Sequence, residues 1–292
     1  MLDETELGAG NTVQVVAYKA GSMMAGSLLL IVRELFGWTI MFIAFASIYF
    51  AANILISLMK FKEKTNDDKS KEIGEISIIR DLKSILNVQG TSWMIFFLLY
   101  YKLCERSEQT FMLVLVDKKV PKEELAILST FIRAFSIMGS LTSGLLLTKN
   151  SSKIKSALLS TASIRFIGIL GLTILVYRWD DWSDVTLDPL FKYLGFSLIC
   201  LTSIGAGSIT TNVFTLMMSL SQKASNTRGT HYSLLATCEV LGKLMFAAIA
   251  GYLIDIFGLK IIFSLFTFLA VTVLPIAYYA PRTVINKANR GS

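Results

Sequence analysis

Ten residues, set in stretches otherwise fit for hydrocarbon, carry the chemistry open to this chain: Gln14, Tyr18, Lys19, Lys102, Glu105, Arg133, Arg165, His231, Glu239 and Lys243. The stretch TSWMIFFLLYYKLCERSEQTFMLVLV places Lys102, Glu105, Arg106 and Glu108 near its middle. An unshielded charge at a helix centre costs about 2.5–3.5 kcal/mol on insertion scales, so these side chains turn away from lipid. Two readings stay open. Lys102 pairs internally with Glu105 or Glu108 at helical-neighbour spacing, or the four groups line a solvated path for a solute or for protons. Further on, Glu239 and Lys243 stand four apart and share a helix face with His231 and Leu235. Glu preceding Lys by four is the favourable order, and the spacing predicts an ion pair. A locked pair would only pin the helix. A Glu239 that exchanges Lys243 or Lys102 for a proton would couple proton movement to a conformational change, because desolvation favours the neutral acid once the cation leaves. Lys19, Lys102, Arg133, Arg165 and Lys243 suit an anionic solute, unless each pairs with a carboxylate, which is the commoner arrangement.

These residues need membrane-spanning helices to position them. The 292 residues are 53% hydrophobic and 17% charged, with mean hydropathy +0.59. That is too apolar for an ordinary soluble domain. A span needs roughly 20 mainly apolar residues to cross about 30 Å of hydrocarbon. Eight stretches qualify: 11–33, 37–59, 91–116, 124–148, 154–177, 189–219, 229–255 and 259–281. The second, nearly uniform in its apolarity, reads as a packing helix. The sixth carries Thr202, Ser203, Thr210, Thr211 and Asn212 among glycines, and can bend to line a cavity or pack tightly. Residues 60–90 form the long polar segment, a mixed-charge run followed by Ile76, Ile79, Leu82, Ile85 and Leu86 at helical spacing, an amphipathic surface helix.

Other chemistries are poorly served. The net charge of +7 belongs with the cytosolic ends of spans rather than with nucleic acid. Cys104, Cys200 and Cys238 sit in apolar segments with no disulfide or metal spacing, and a single histidine offers neither a metal site nor a catalytic set. No metal, cofactor or enzymatic activity is expected.

The chain also repeats itself. Shifted by 221 positions, Gly21 falls on Gly242, Glu34 on Asp255, Phe36 on Phe257 and Gly37 on Gly258. Ile40, Phe42 and Phe45 fall on Ile261, Phe263 and Phe266. A repeat between helical hairpins points to a transporter built from two related halves.

Three stretches carry a resemblance: Glu6-Leu-Gly-Ala-Gly-Asn11-Thr12-Val-Gln14-Val-Val-Ala-Tyr18-Lys19, Tyr101-Lys102-Leu103-Cys104-Glu105, and Thr230-His231-Tyr232-Ser233 through Glu239 to Gly242-Lys243. Together they resemble the branch of the major facilitator superfamily that joins acetyl-CoA transporters and bacterial muropeptide (AmpG-type) permeases. Within it, the chain is similar to the eukaryotic group described as major facilitator superfamily domain-containing protein 3, along essentially its whole length. Cys104 stands where the related Tyr-Lys-Leu-Gly pattern has Gly, and the loop 149–155 lacks the Gly-x-x-x-Asp-Arg signature.

The resemblance implies an all-α membrane protein with the superfamily fold, truncated at the N-terminus to eight of twelve spans. Residues 1–59 would be the last two spans of the first six-helix half, 60–90 a cytosolic linker, and 91–292 the complete second half with a short cytosolic tail. It implies a secondary transporter, or a fragment of one, of the solute:proton symporter type. The cargo would be acetyl-CoA or another small organic anion, moved by alternating access in the lipid bilayer. A muropeptide or amino-sugar permease is the second transport reading. A reading of another class is a truncated membrane protein that transports nothing and self-associates through its incomplete half, and residues 1–292 alone are expected not to transport.

Lys and Arg counted by alternating side give fifteen on one side, which holds the linker and the C-terminus, against six on the other. That side is therefore expected to be cytosolic. It follows that the sequon Asn150-Ser151-Ser152 stays unglycosylated. A glycosidase-sensitive mass shift mapped to Asn150 would reverse this topology.

Overall fold

The computed structural model describes residues 7–24, 29–58, 85–147, 154–181, 189–224, 227–281 and 284. Eight α-helices account for nearly all of them. They are α1 (Leu7–Met23), α2 (Leu29–Leu58), α3 (Thr91–Leu103), α4 (Arg106–Asp117), α5 (Lys122–Thr142), α6 (Ile154–Asp181), α7 (Pro189–Ser221) and α8 (Arg228–Tyr278), with a π segment, Ser143–Leu147, prolonging α5. The sequon, most of the expected linker helix and the C-terminal tail lie outside the described residues.

By length and apolarity, five described helical segments can cross a membrane. The last of them, α8, has 51 residues, about 76 Å of helix at 1.5 Å per residue, more than twice the hydrocarbon thickness. It contains two spans. They meet at Gly258, whose backbone leaves the helix at φ 76°, ψ 163°. Gly37 does the same inside α2, at φ 68°, ψ 168°. Only glycine visits that region without strain. These two glycines are the repeat mates found 221 positions apart, so the repeat extends to backbone geometry.

Two expectations are corrected here. The span 91–116 is not one helix, because α3 stops at Leu103 and α4 restarts at Arg106. The span 37–59 is not a packing helix: only 6% of its apolar window is buried. Its repeat mate is the opposite. Phe263 and Phe266 are fully buried, whereas Phe42 is 65% exposed. At these positions the same sequence pattern is packed in one copy and exposed in the other, although Met41 of α2 is itself buried.

The remaining helices form a bundle in which α7 packs between α5 and α6, and α8 packs on α3 and α6. Small residues set the closest approaches. A Cβ on Gly139 would lie 2.2 Å from the Ile204 carbonyl oxygen, and one on Gly207 would lie 2.0 Å from that of Ser136. Ser140 donates to the Gly207 carbonyl at 3.0 Å and Ser208 to that of Gly139 at 2.8 Å, which closes the α5–α7 seam with hydrogen bonds. Of the two readings of the sixth span, tight packing is the one α7 displays. Helix α1 docks on α5 and α7, its Thr12 seated so closely over Gly144 that a Cβ there would clash.

Gly37→Ala and Gly258→Ala should each cost about 1–3 kcal/mol, the strain of a side chain in that backbone region. Gly21→Ala, in a helix with nothing within 4 Å of the added carbon, should leave stability nearly unchanged. Denaturation midpoints in detergent decide this; equal losses in all three variants would contradict it.

Candidate functional site

The break between α3 and α4 is where the charges gather. Lys102 is in the last turn of α3 and Glu108 in the first turn of α4, with Glu105 at its N-cap. A helix end of negative dipole meets a cation, and one of positive dipole meets carboxylates. Backbone groups freed by the break are satisfied locally. Glu105 N–H donates to the Lys102 carbonyl at 3.1 Å, and Ser107 donates to the Cys104 carbonyl through its N–H at 3.2 Å and its hydroxyl at 2.9 Å. Cys104 and Glu105 keep right-handed helical backbone angles, so the interruption is a tight turn between two helices rather than an unwound segment.

Lys102 is 4% exposed and holds two carboxylates, Glu105 Oε2 at 2.5 Å and Glu239 Oε1 at 2.5 Å. The expected pair between Glu239 and Lys243 is not formed. Lys243 instead reaches Glu105 Oε1 at 3.9 Å. The correction has a simple cause: the break in α3–α4 delivers a more deeply buried ammonium to Glu239 than its own helix offers. Of the two readings for the third span, pairing with Glu105 is the one formed, and it continues across to α8. Tyr101, fully buried at the end of a stacked ladder Trp93–Phe97–Tyr101, lies with its hydroxyl 3.5 Å from Glu239 Oε1 and its ring 5.3 Å from Lys102 Nζ.

Arg165, on α6 and 3% exposed, lies in the field of Glu105 and Glu108. Among the described residues its Nε and Nη2 have no hydrogen-bond partner, nor does Glu108 Oε1. A small cavity of about 10 Å³, enough for a single water, adjoins Arg165, Tyr101 and Cys104. Lys19 of α1 feels Lys102, Glu105, Glu108 and Arg165. It donates to Ser136 Oγ of α5 at 2.7 Å. Arg133 of α5 returns the contact, donating to the Ser22 carbonyl at 3.1 Å and to the Ser22 hydroxyl.

Apolar clusters flank this ionic layer, which stays partly open at Lys243 (38% exposed) and Glu105 (26% exposed). One apolar cluster, with Phe111, Leu172, Ile199 and Phe263, lies to one side of it. A second, with Phe97, Leu158, Leu216 and Leu235, lies to the other. Arg165 falls between Ala162 of the second and Ile169 of the first. Low dielectric on both faces strengthens each charge interaction within the layer.

Of the ten sequence candidates, Lys19, Lys102, Glu105, Arg165, Glu239 and Lys243 come together, and Arg133 joins them through α1. Tyr18 is 73% exposed, and Gln14 is exposed beside Tyr232. His231 is fully buried elsewhere, held by Thr91 Oγ1 at 2.9 Å on Nε2 and by Ser221 Oγ at 2.8 Å on Nδ1. It ties the start of α8 to the start of α3 and the end of α7. Tyr101, Ser22 and Ser136 belong to the layer without having been singled out, and Glu108, marked in the sequence as a mid-span charge and a candidate partner of Lys102, belongs to it as well. The serines had no signal, since serine is common in membrane helices. Arg106 stands apart, bonded to Gln109 on the exposed side. A separate apolar groove of about 650 Å³ between α5 and α7, floored by Phe131, Phe135, Phe196 and Cys200, contains none of the ionic layer. Among the described residues no group of three or more His, Cys, Asp or Glu is arranged to hold a metal ion.

A family model described as Major Facilitator Superfamily matches residues 1–230 of the chain.

Removing Lys102 strands the buried Glu239 carboxylate and leaves Glu105 only the more distant Lys243. Lys102→Met should destabilise by about 3–5 kcal/mol, and adding Glu239→Gln should recover part of that loss. Thermal unfolding of both variants in detergent measures the coupling. A double variant no more stable than Lys102→Met would show that the pair does not interact.

Proposed function

Because the chain belongs to the major facilitator superfamily, we propose that it is a secondary transporter, or the larger part of one, that carries an organic anion with a proton by alternating access. One observation carries this reading. Among the described residues the largest group of interacting charges lies inside the helix bundle, where Lys19 brings α1 against α5. Solute sites of transporters built from repeats lie near the bilayer midplane at the junction of the repeats. The resemblance to acetyl-CoA transporters, in the group described as major facilitator superfamily domain-containing protein 3, supports an acetyl-CoA-like anion, with the linker and C-terminus in the cytosol. The uncovered apolar face of α2 supports contact with lipid or with a further apolar helix.

Lys102 is the exchangeable element. It is shared by Glu105 and Glu239, and Lys243 stands within reach of Glu105. When a solute anion draws the Lys102 ammonium away, Glu105 keeps Lys243 as a counter-ion, but Glu239 has no second cation. Its carboxylate then takes a proton, since a bare charge in this layer is too costly. Return of Lys102 releases that proton. Solute and proton thereby occupy the same half of the cycle, which is symport.

In the natural polypeptide carrying these residues, Glu239→Gln should retain solute binding while losing accumulation driven by a pH gradient. Counterflow, which needs no net proton movement, should persist. Normal gradient-driven accumulation in that variant would make the Lys102–Glu239 pair structural only.

A further inference from the structure

The ionic layer contains five basic groups, Lys19, Lys102, Arg133, Arg165 and Lys243, and three carboxylates, Glu105, Glu108 and Glu239. Two positive charges are in excess. The carboxylates are spoken for: Glu105 and Glu239 by Lys102, and Glu108 by its place against Ser203 and within the field of Arg165. Among the described residues Lys19, Arg133 and Arg165 are the members of the layer outside its ion pairs, and Lys19 and Arg133 are the two held by serines. Neither has a carboxylate within ion-pair distance among the described residues. Each is instead accepted by a serine of the opposite helix, in a reciprocal arrangement. Lys19-x-x-Ser22 on α1 faces Arg133-x-x-Ser136 on α5 in antiparallel sense, so that each cation meets the other's serine. Neutral oxygens satisfy hydrogen bonds but leave the charge uncompensated, and charge-assisted bonds to an anion are roughly twice as strong. Behind Lys19, the Nε and Nη2 of the buried Arg165, unpartnered among the described residues, add donors of the same sign.

We propose that these two contacts form an anion-operated latch. A doubly charged oxyanion, either a phosphate monoester or a dicarboxylate, binds between Lys19 and Arg133 and displaces Ser136 and Ser22. The inference rests on the transport reading above and names the part of the solute that the site grips. It also assigns the consequence of binding. The displaced bonds are cross-links between α1 and α5, so the anion changes what holds α1 to the bundle. Gly207 lets Lys19 reach Ser136, since a Cβ there would lie 3.1 Å from Lys19 Nζ and 2.0 Å from the Ser136 carbonyl oxygen.

The test uses residues 1–292 in lipid nanodiscs at fixed ionic strength, with methyl phosphate, succinate and acetate as probes. Methyl phosphate or succinate should raise the melting temperature, and which of them does so identifies the oxyanion; acetate should not. Lys19→Gln and Arg133→Gln should each weaken dianion binding by at least about tenfold, the loss of one charge-assisted bond. Ser22→Ala combined with Ser136→Ala should act in the opposite direction and tighten it, because the competing acceptors are gone. That serine variant retains every charge, so it decides the matter even where a cation variant does not fold. Weaker binding in the serine variant, or acetate acting as well as the dianions, would overturn the latch. Dianion binding without proton-driven uptake in the natural polypeptide would remove the transport reading and leave the latch. Uptake untouched by Lys19→Gln would do the reverse.

Discussion

Everything in this structure depends on keeping charge out of hydrocarbon while retaining it inside the helix bundle. Lys102 is the centre of that constraint. A single ammonium, 4% exposed, pairs with two carboxylates, Glu105 at the start of α4 and Glu239 of α8, and the helix that carries it is broken one residue later. The break and the charges stabilise one another. Interrupting α3 at Cys104 exposes one negative and one positive dipole end, and Lys102, Glu105 and Glu108 complement them. Uninterrupted helix would place the same side chains with no such complement. Apolar clusters on both sides then limit the access of water, which raises the cost of losing any one partner.

Helix association around this layer cannot rely on the hydrophobic effect, since lipid tails are as apolar as leucine. The α5–α7 seam shows what replaces it. Gly139 and Gly207 let the backbones meet, and Ser140 and Ser208 hydrogen-bond across the contact. Deeper in the same seam Ser143 donates to Asn212 Oδ1 at 2.8 Å, and Asn212 donates to Thr161 at 3.3 Å, which brings in α6. The attachment of α1 is of another kind. Beside the packing of Val15 and of Thr12 over Gly144, it is joined to α5 by Lys19 and Arg133 on serines, contacts that a competing anion can replace. The bundle is built to stay; the α1 junction is built from exchangeable bonds.

The repeat separates local from tertiary causes within one molecule. Gly37 and Gly258 adopt the same unusual backbone because the sequence around each demands a reversal between two apolar runs. Their surroundings then diverge. Gly242 is pressed against the backbone of Leu99, where a Cβ would lie 2.9 Å away, while its mate Gly21 has nothing within 4 Å. Phe263 is buried against Phe111 and Phe266, and its mate Phe42 is exposed. Identical residue types at identical spacing acquire different roles according to which helices are beside them.

The sequence by itself determined the class of the protein and its helical runs, because apolar length and the cost of unpaired backbone in lipid leave few alternatives. It also located the two kink glycines through their repeat, and it marked Lys102, Glu105, Arg165 and Glu239 as out of place in hydrocarbon. Pairing was beyond it. The i, i+4 rule joined Glu239 to Lys243 because spacing along one helix is all that a linear pattern contains. Only the folded chain, by breaking α3–α4 beside α8, delivered Lys102 to Glu239 at 2.5 Å. His231 shared a face with the site in projection, yet packing set it at the start of α8 between two hydroxyls. The serines that receive Lys19 and Arg133 were invisible for the same reason. A partner on another helix is decided by how helices cross, and that is a property of the tertiary structure alone.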